Sequence, residues 1–123
     1  MERTKMLKVL ENNGFLVEEG MHYCAGTEEI YREVLDSAAT EGEEKIAVLD
    51  QCMEEQDFYR YQIEAHGIKN VAQTIGDVRL FEAASLRNDA LKAGRHEEVA
   101  EGHEAFRKLY QEEIALIRKA ISE

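Results

Sequence analysis

The chain has 123 residues, 44% of them hydrophobic and 33% charged, the size and balance of one domain with a core of its own. Acidic residues outnumber basic ones 26 to 15, a net charge of −11, which argues against nucleic acid or an anionic membrane as partner because both require a basic footprint. No apolar run approaches the roughly 20 residues of a membrane span, and the opening MERTKMLKVLENNG lacks the core and cleavage site of a signal peptide, so a cytoplasmic protein is expected.

Proline and tryptophan are absent, strand-like alternation is missing, and Glu, Ala, Leu, Lys and Arg dominate, so the chain is predicted to be all-α. A first helix over Arg3 to Asn12 carries Met6, Leu7 and Leu10 on one side and stops at Asn12-Asn13-Gly14. A second, short helix is expected in FLVEEGMHYCAG, closed by Gly26. Thr27 is a good N-cap for the next, with Glu28 and Glu29 in its first turn and Ile30, Val34 and Leu35 as its apolar side. Thr40-x-x-Glu43 resembles a capping box, which predicts a break near Gly42. Beyond it Ile46, Leu49 and Met53 stand at helical spacing. Asp57 caps a helix that ends at Gly76, Asp77 caps another that ends at Gly94, and the last runs from His96 to Ile121. Short connections make sequential helices antiparallel. The expected architecture is an up-down four-helix bundle over residues 27–123, with an N-terminal accessory helical segment over residues 1–26, one domain overall. With its seam residues consumed inside the bundle, a monomer is expected.

The helix after Asp57 holds the stretch EAHGIKNVAQTIGD, Glu64 to Asp77. Phe58, Tyr61, Ala65, Ile68, Ala72 and Ile75 fall at spacings of 3 and 4 and form a bundle seam. His66 lies roughly 125° from the seam's centre, and Lys69 nearer its edge, about 60° from His66. Gln62 and Gln73 share that flank. A lone helical histidine is ordinarily surface decoration or a partnered member of the core; the wheel removes the second of these. Ile63 lies outward, where it gains nothing from the core, and Gly67 costs about 1 kcal/mol relative to alanine inside a helix. A glycine beside an exposed histidine lets another molecule approach closely, so Ile63, His66, Gly67 and Asn70 read as a docking patch. His103 falls in the seam of the last helix as a structural residue. His96 lies in that helix's first turn, solvated, and His22 sits beside Tyr23 and Cys24.

The chemistry open to these residues is narrow. A metal-binding bundle needs inward ligands from facing helices, and only Glu19-x-x-His22 has the Glu-x-x-His pattern, in the accessory region. No phosphate-binding glycine loop occurs, hence no ATP site. Cys24 and Cys52, the only cysteines, are expected to be reduced thiols. What remains is an accessible imidazole, nucleophilic near neutral pH, with a lysine at i+3 to attract and screen phosphoryl oxygens. Taken alone, His-x-x-Lys is a weak motif.

Over most of its length the chain resembles the histidine-containing phosphotransfer (HPt) domains of bacterial phosphorelays. That family's pattern is a small or apolar residue, His, any residue, an aliphatic and Lys, then small residues and an Ile/Leu-Gly stop. It is matched by Ala65, His66, Gly67, Ile68, Lys69, Val71, Ala72 and Ile75-Gly76. VEEGMHYCAGTEEIYREVL looks like the opening of such domains, EGEEKIAVLDQCMEEQDFYRYQIEAH like the approach to the active helix, and LKAGRHEEVAEGHEAFRKLYQEEI like the closing hairpin with His103 and Tyr110. The resemblance implies that His66 is the phospho-acceptor, Lys69 its electrostatic partner, and Gln73 a hydrogen-bond donor to the phosphoryl group. Partner docking would fall to Tyr59, Gln62, Ile63, Gly67 and Asn70. Family members often carry Gly or Ser directly after the lysine; Asn70 departs from this, which bears on partner choice. The implied partners are response-regulator receiver domains, which bring the carboxylates and Mg²⁺, and a hybrid sensor histidine kinase. The chain would have no cofactor, metal or kinase machinery of its own. Met1 and the accessory helix favour a free-standing carrier. The competing readings are a helical adaptor that binds receivers through the same patch without phosphotransfer and, disfavoured by the missing ligands, a metal bundle.

Overall fold

The computed structural model describes residues 3–123; Met1 and Glu2, where the expected accessory segment begins, lie outside the described residues. All regular structure among the described residues is helical: α1 (Lys5–Asn12), α2 (Val17–Tyr23), α3 (Glu28–Glu55), α4 (Phe58–Ile75), α5 (Val78–Lys92) and α6 (His96–Ile121). None of these helices is long and apolar enough to cross a membrane.

The ends follow from short polar side chains that replace missing backbone partners. Thr27 Oγ1 accepts from the Ile30 amide at 3.2 Å, Asp57 Oδ1 from Arg60 at 3.0 Å and Asp77 Oδ1 from Leu80 at 3.2 Å. α4 stops at Gly76, whose φ of +78° is left-handed. There a Cβ would also collide with the Leu16 carbonyl, and the Leu16 amide donates to the Gly76 oxygen at 2.9 Å. The loop between α1 and α2 is thereby seated on the α4–α5 turn.

α4 packs against both α3 and α5, and α6 against the same two helices; α1 lies on α6, and α2 on α4 and α3. Tyr61, Ala65, Ile68, Ala72 and Ile75 are buried as the seam pattern requires, with Phe58 half-buried and stacked on His96 at 4.3 Å. In α6 the ladder Val99, His103, Phe106, Tyr110, Ile114 and Ile117 is buried. The Tyr31 hydroxyl donates to the Ile75 carbonyl at 2.7 Å, Lys45 pairs with Glu64, and Arg118 pairs with Glu43 at 2.9 Å. These contacts fix how α3 lies along α4 and α6.

Two sequence expectations are corrected. The break near Gly42 does not occur: α3 is one helix of 28 residues. Gly42 is buried where α3 meets α6, and a Cβ there would come 2.8 Å from Ile114 Cδ1 and 3.1 Å from Tyr110 Cε1. The glycine serves close helix approach, and Glu43 reaches Arg118 on the neighbouring helix rather than closing a capping box. Ile30 is 39% exposed, and Tyr31, wholly buried, takes the core position assigned to it.

Candidate functional site

His66 stands on the exposed face of α4 and lines an open groove of about 320 Å³ with Tyr59, Gln62 and Ile63 of the same helix and Asn88 and Lys92 of α5. Tyr59 is 78% and Ile63 54% exposed, so the groove has an apolar rim. Gly67, the next residue, has nothing within 4 Å of where a Cβ would stand. The helix surface there is open to a close approach, and no packing demand of this chain accounts for the glycine.

The remaining sequence-predicted residues do not share that groove. Lys69 is half-buried one turn along α4, within side-chain reach of His66 by the i, i+3 geometry of a helix. Gln73 is exposed but lines a different hollow of about 280 Å³ beside Gly76, Asp77 and Phe81. Asn70 is exposed toward α3, in a groove with Val34, Ser37 and Glu41. Among the described residues Lys69 and Lys92 make no ion pair. One ammonium group, that of Lys92, therefore lines the groove of the accessible imidazole, and a second, that of Lys69, stands one turn along α4, neither of them in an ion pair among the described residues.

Asn88 and Lys92 are the contribution that sequence reasoning missed. Their i, i+4 spacing put both on one face of α5, but only the α4–α5 packing turns that face toward His66. Asn88 is 1% exposed and its Oδ1 has no partner. Chemically the groove suits a small anion held against an imidazole nitrogen: Lys92 supplies charge and Gln62 an amide.

Beneath the seam of α4 runs a buried polar chain. Arg87 Nε donates to the Tyr61 hydroxyl at 2.9 Å and Arg87 Nη2 to the Val99 carbonyl at 2.5 Å. Tyr61 Oη is 2.9 Å from His103 Nδ1, and His103 Nε2 is 2.7 Å from Asp50 Oδ1. Arg107 closes the chain on Asp50 Oδ2 at 2.9 Å. Partial burial pushes the Asp50 carboxyl up, but hydrogen bonds and charge from His103 and Arg107 outweigh it and hold the group below its ordinary value. His103 is thus a structural residue, and it bridges α3 and α4. His96 is exposed, stacked on Phe58, and His22 is exposed beside Tyr23. Cys24 and Cys52 are free and buried, and burial raises both thiols, which makes them poor nucleophiles.

Compared with known proteins, the chain matches no family model, no curated protein and no solved structure.

Proposed function

We propose that the chain is a phosphocarrier of a phosphorelay, an HPt-like protein in which His66 takes a phosphoryl group from an aspartyl phosphate on a receiver domain and returns it to another. An imidazole nitrogen of His66 attacks phosphorus, the P–N bond forms as the P–O bond to the aspartate breaks, and the carboxylate leaves with the bonding pair. The receiver brings the carboxylate cluster and Mg²⁺; a hybrid sensor histidine kinase stands upstream. The observation that carries the reading is the placement of His66, exposed on α4 in a groove it shares with Lys92 and one turn from Lys69. Tyr59, Gln62, Ile63 and Gly67 form the docking rim around it. The wider fold of the reading is an antiparallel up-down bundle of α3 to α6, with α1 and α2 as accessory helices. It is supported by the opposed pairings Tyr31–Ile75 and Lys45–Glu64 between α3 and α4 and Glu43–Arg118 and Asp50–His103 between α3 and α6. A cytoplasmic, monomeric carrier suits a partner that is itself a small cytoplasmic domain.

The test is incubation with a labelled phospho-receiver. Label should pass to the parent chain in acid-labile, base-stable form and should not pass to His66→Gln. If His66→Gln is labelled as well as the parent, the phosphocarrier reading fails. If neither is labelled but both bind the receiver with equal affinity, the chain is an adaptor acting through the same rim.

A further inference from the structure

Two carboxyl groups lie inside the molecule where α4 turns into α5. Asp77, the N-cap of α5, is 1% exposed, and Glu113 of α6 is 2% exposed. Each has one oxygen engaged: Asp77 Oδ1 accepts from the Leu80 amide at 3.2 Å, and Glu113 Oε2 accepts from Arg79 Nη1 at 3.3 Å. Each also has one buried oxygen, Asp77 Oδ2 and Glu113 Oε1, with no donor to satisfy it. Arg79, two residues after Asp77, carries its guanidinium to Glu113 and so ties the start of α5 to that carboxyl. Two bare carboxylates buried together repel and leave both lone pairs unmet, a costly arrangement. One proton between them satisfies both oxygens at once.

We infer that Asp77 and Glu113 share a proton, and that this proton latches the α4–α5 turn to α6 and is given up toward alkaline pH. The guanidinium of Arg79 sits on Glu113, so the proton belongs with Asp77. The groups around it point the same way. Tyr31 of α3 and Tyr110 of α6 lie close enough to feel the Asp77 charge, and burial first, then nearby acids, raise both phenols, so both stay neutral beside it. Glu19 of α2 and Glu82 of α5 line the hollow that Asp77 borders, and Glu112 is 3.9 Å from Arg79. Arg79 is thus a cation shared between Glu113 and Glu112, with further acids around it. Burial first, then the hydrogen bond and charge of Glu113, push the Asp77 carboxyl from 3.8 up to about 8. The latch matters to the fold because the same turn seats the α1–α2 loop through Gly76 and Leu16 and receives the Tyr31 hydroxyl at Ile75.

The sign follows from proton counts. Between pH 4 and about 8 the native state holds a proton that the unfolded chain has released, so the contribution is full below pH 4, drains as pH rises, and is gone above the folded value. Asp77→Asn replaces the shared proton by an amide that donates to Glu113 while its oxygen still caps Leu80. The ratio of folding constants, parent to Asp77→Asn, should fall about tenfold per pH unit between pH 5 and 7 and level off above 8. A ratio constant across that window overturns the inference. Should Asp77→Asn fail to fold, carboxyl carbon NMR of the parent decides: a midpoint near 8 for Asp77 supports the shared proton, and one in the ordinary carboxylate range overturns it. In Glu113→Gln, where the new amide donates to Asp77, that midpoint should drop by more than one unit.

Discussion

Tyr61 Oη and His103 Nδ1 stand 2.9 Å apart in the core, and the hydroxyl also meets Arg87 Nε at 2.9 Å. Arginine can only donate. The hydroxyl therefore accepts from Arg87, and it also meets His103 Nδ1, whose ring turns Nε2 toward Asp50. One hydroxyl joins α5 to α6 and, through His103, to α3. Tyr61→Phe keeps the ring, and with it the stacking of Arg87, whose guanidinium carbon lies 5.2 Å from that ring's centre, but it leaves both Arg87 Nε and His103 Nδ1 without their buried partner. The expected loss is about 1–3 kcal/mol, read from urea denaturation. A loss under about 0.5 kcal/mol would show that solvent reaches the chain.

The far end of the same chain gives a pH dependence. The Asp50 carboxyl is held below its ordinary value of 3.8, so its contribution is present above that value and is lost as pH falls through the lower folded one. Native stability should decline below about pH 4, and the decline should be shallower in Asp50→Asn. Because the Asp50 side chain is 39% exposed, water screens the pair and the difference is modest. Thermal melts from pH 2 to 6 on both proteins check it; parallel curves would mean that His103 and Arg107 do not stabilise the charge.

What the sequence made legible was whatever depends on neighbours along the chain. The α4 seam followed from helical spacing, and the ends of α3, α4 and α5 followed from Thr27, Asp57, Asp77 and Gly76, whose caps need only the next few residues. What stayed hidden depends on which helix lies opposite. Gly42 reads as a breaker until Ile114 is seen against it. Glu113 and Arg87 look like solvated charges on helix surfaces, yet each is buried against partners from another helix. Lys92 carried no local mark of its place beside His66, because the crossing of α4 and α5 brings it there.

If His66 carries a phosphoryl group as proposed, Lys92 and Lys69 are each tested by what they do to transfer. Both are free of carboxylate partners among the described residues, and an exposed charge pair is worth up to about 1 kcal/mol. Lys92→Ala and Lys69→Ala should each slow phosphoryl uptake by His66 roughly fivefold, with stability unchanged within about 0.5 kcal/mol for exposed Lys92. The measurement is the initial rate of label transfer from a phospho-receiver, repeated at high salt, where both effects should shrink. An unaltered rate in Lys92→Ala would remove α5 from the site.

The same substitution at two glycines should have opposite effects. Gly67 is helical, and a methyl group there meets nothing within 4 Å, so Gly67→Ala should stabilise the chain by about 0.5–1 kcal/mol through helix propensity alone. Gly20 is also helical, but a Cβ there would stand 2.8 Å from Tyr31 Cε1 and 2.9 Å from the Ile75 carbonyl oxygen, the acceptor of the Tyr31 hydroxyl. Overpacking of that kind costs about 1–3 kcal/mol, more than the helix gains, so Gly20→Ala should destabilise. Denaturation midpoints of the two variants check both signs. Gly67→Ala carries a second reading. If the helix surface beside His66 is left bare for a docking partner, the more stable variant should accept phosphoryl more slowly, stability and transfer moving in opposite directions. A variant both more stable and equally fast would show that nothing approaches α4 at that point.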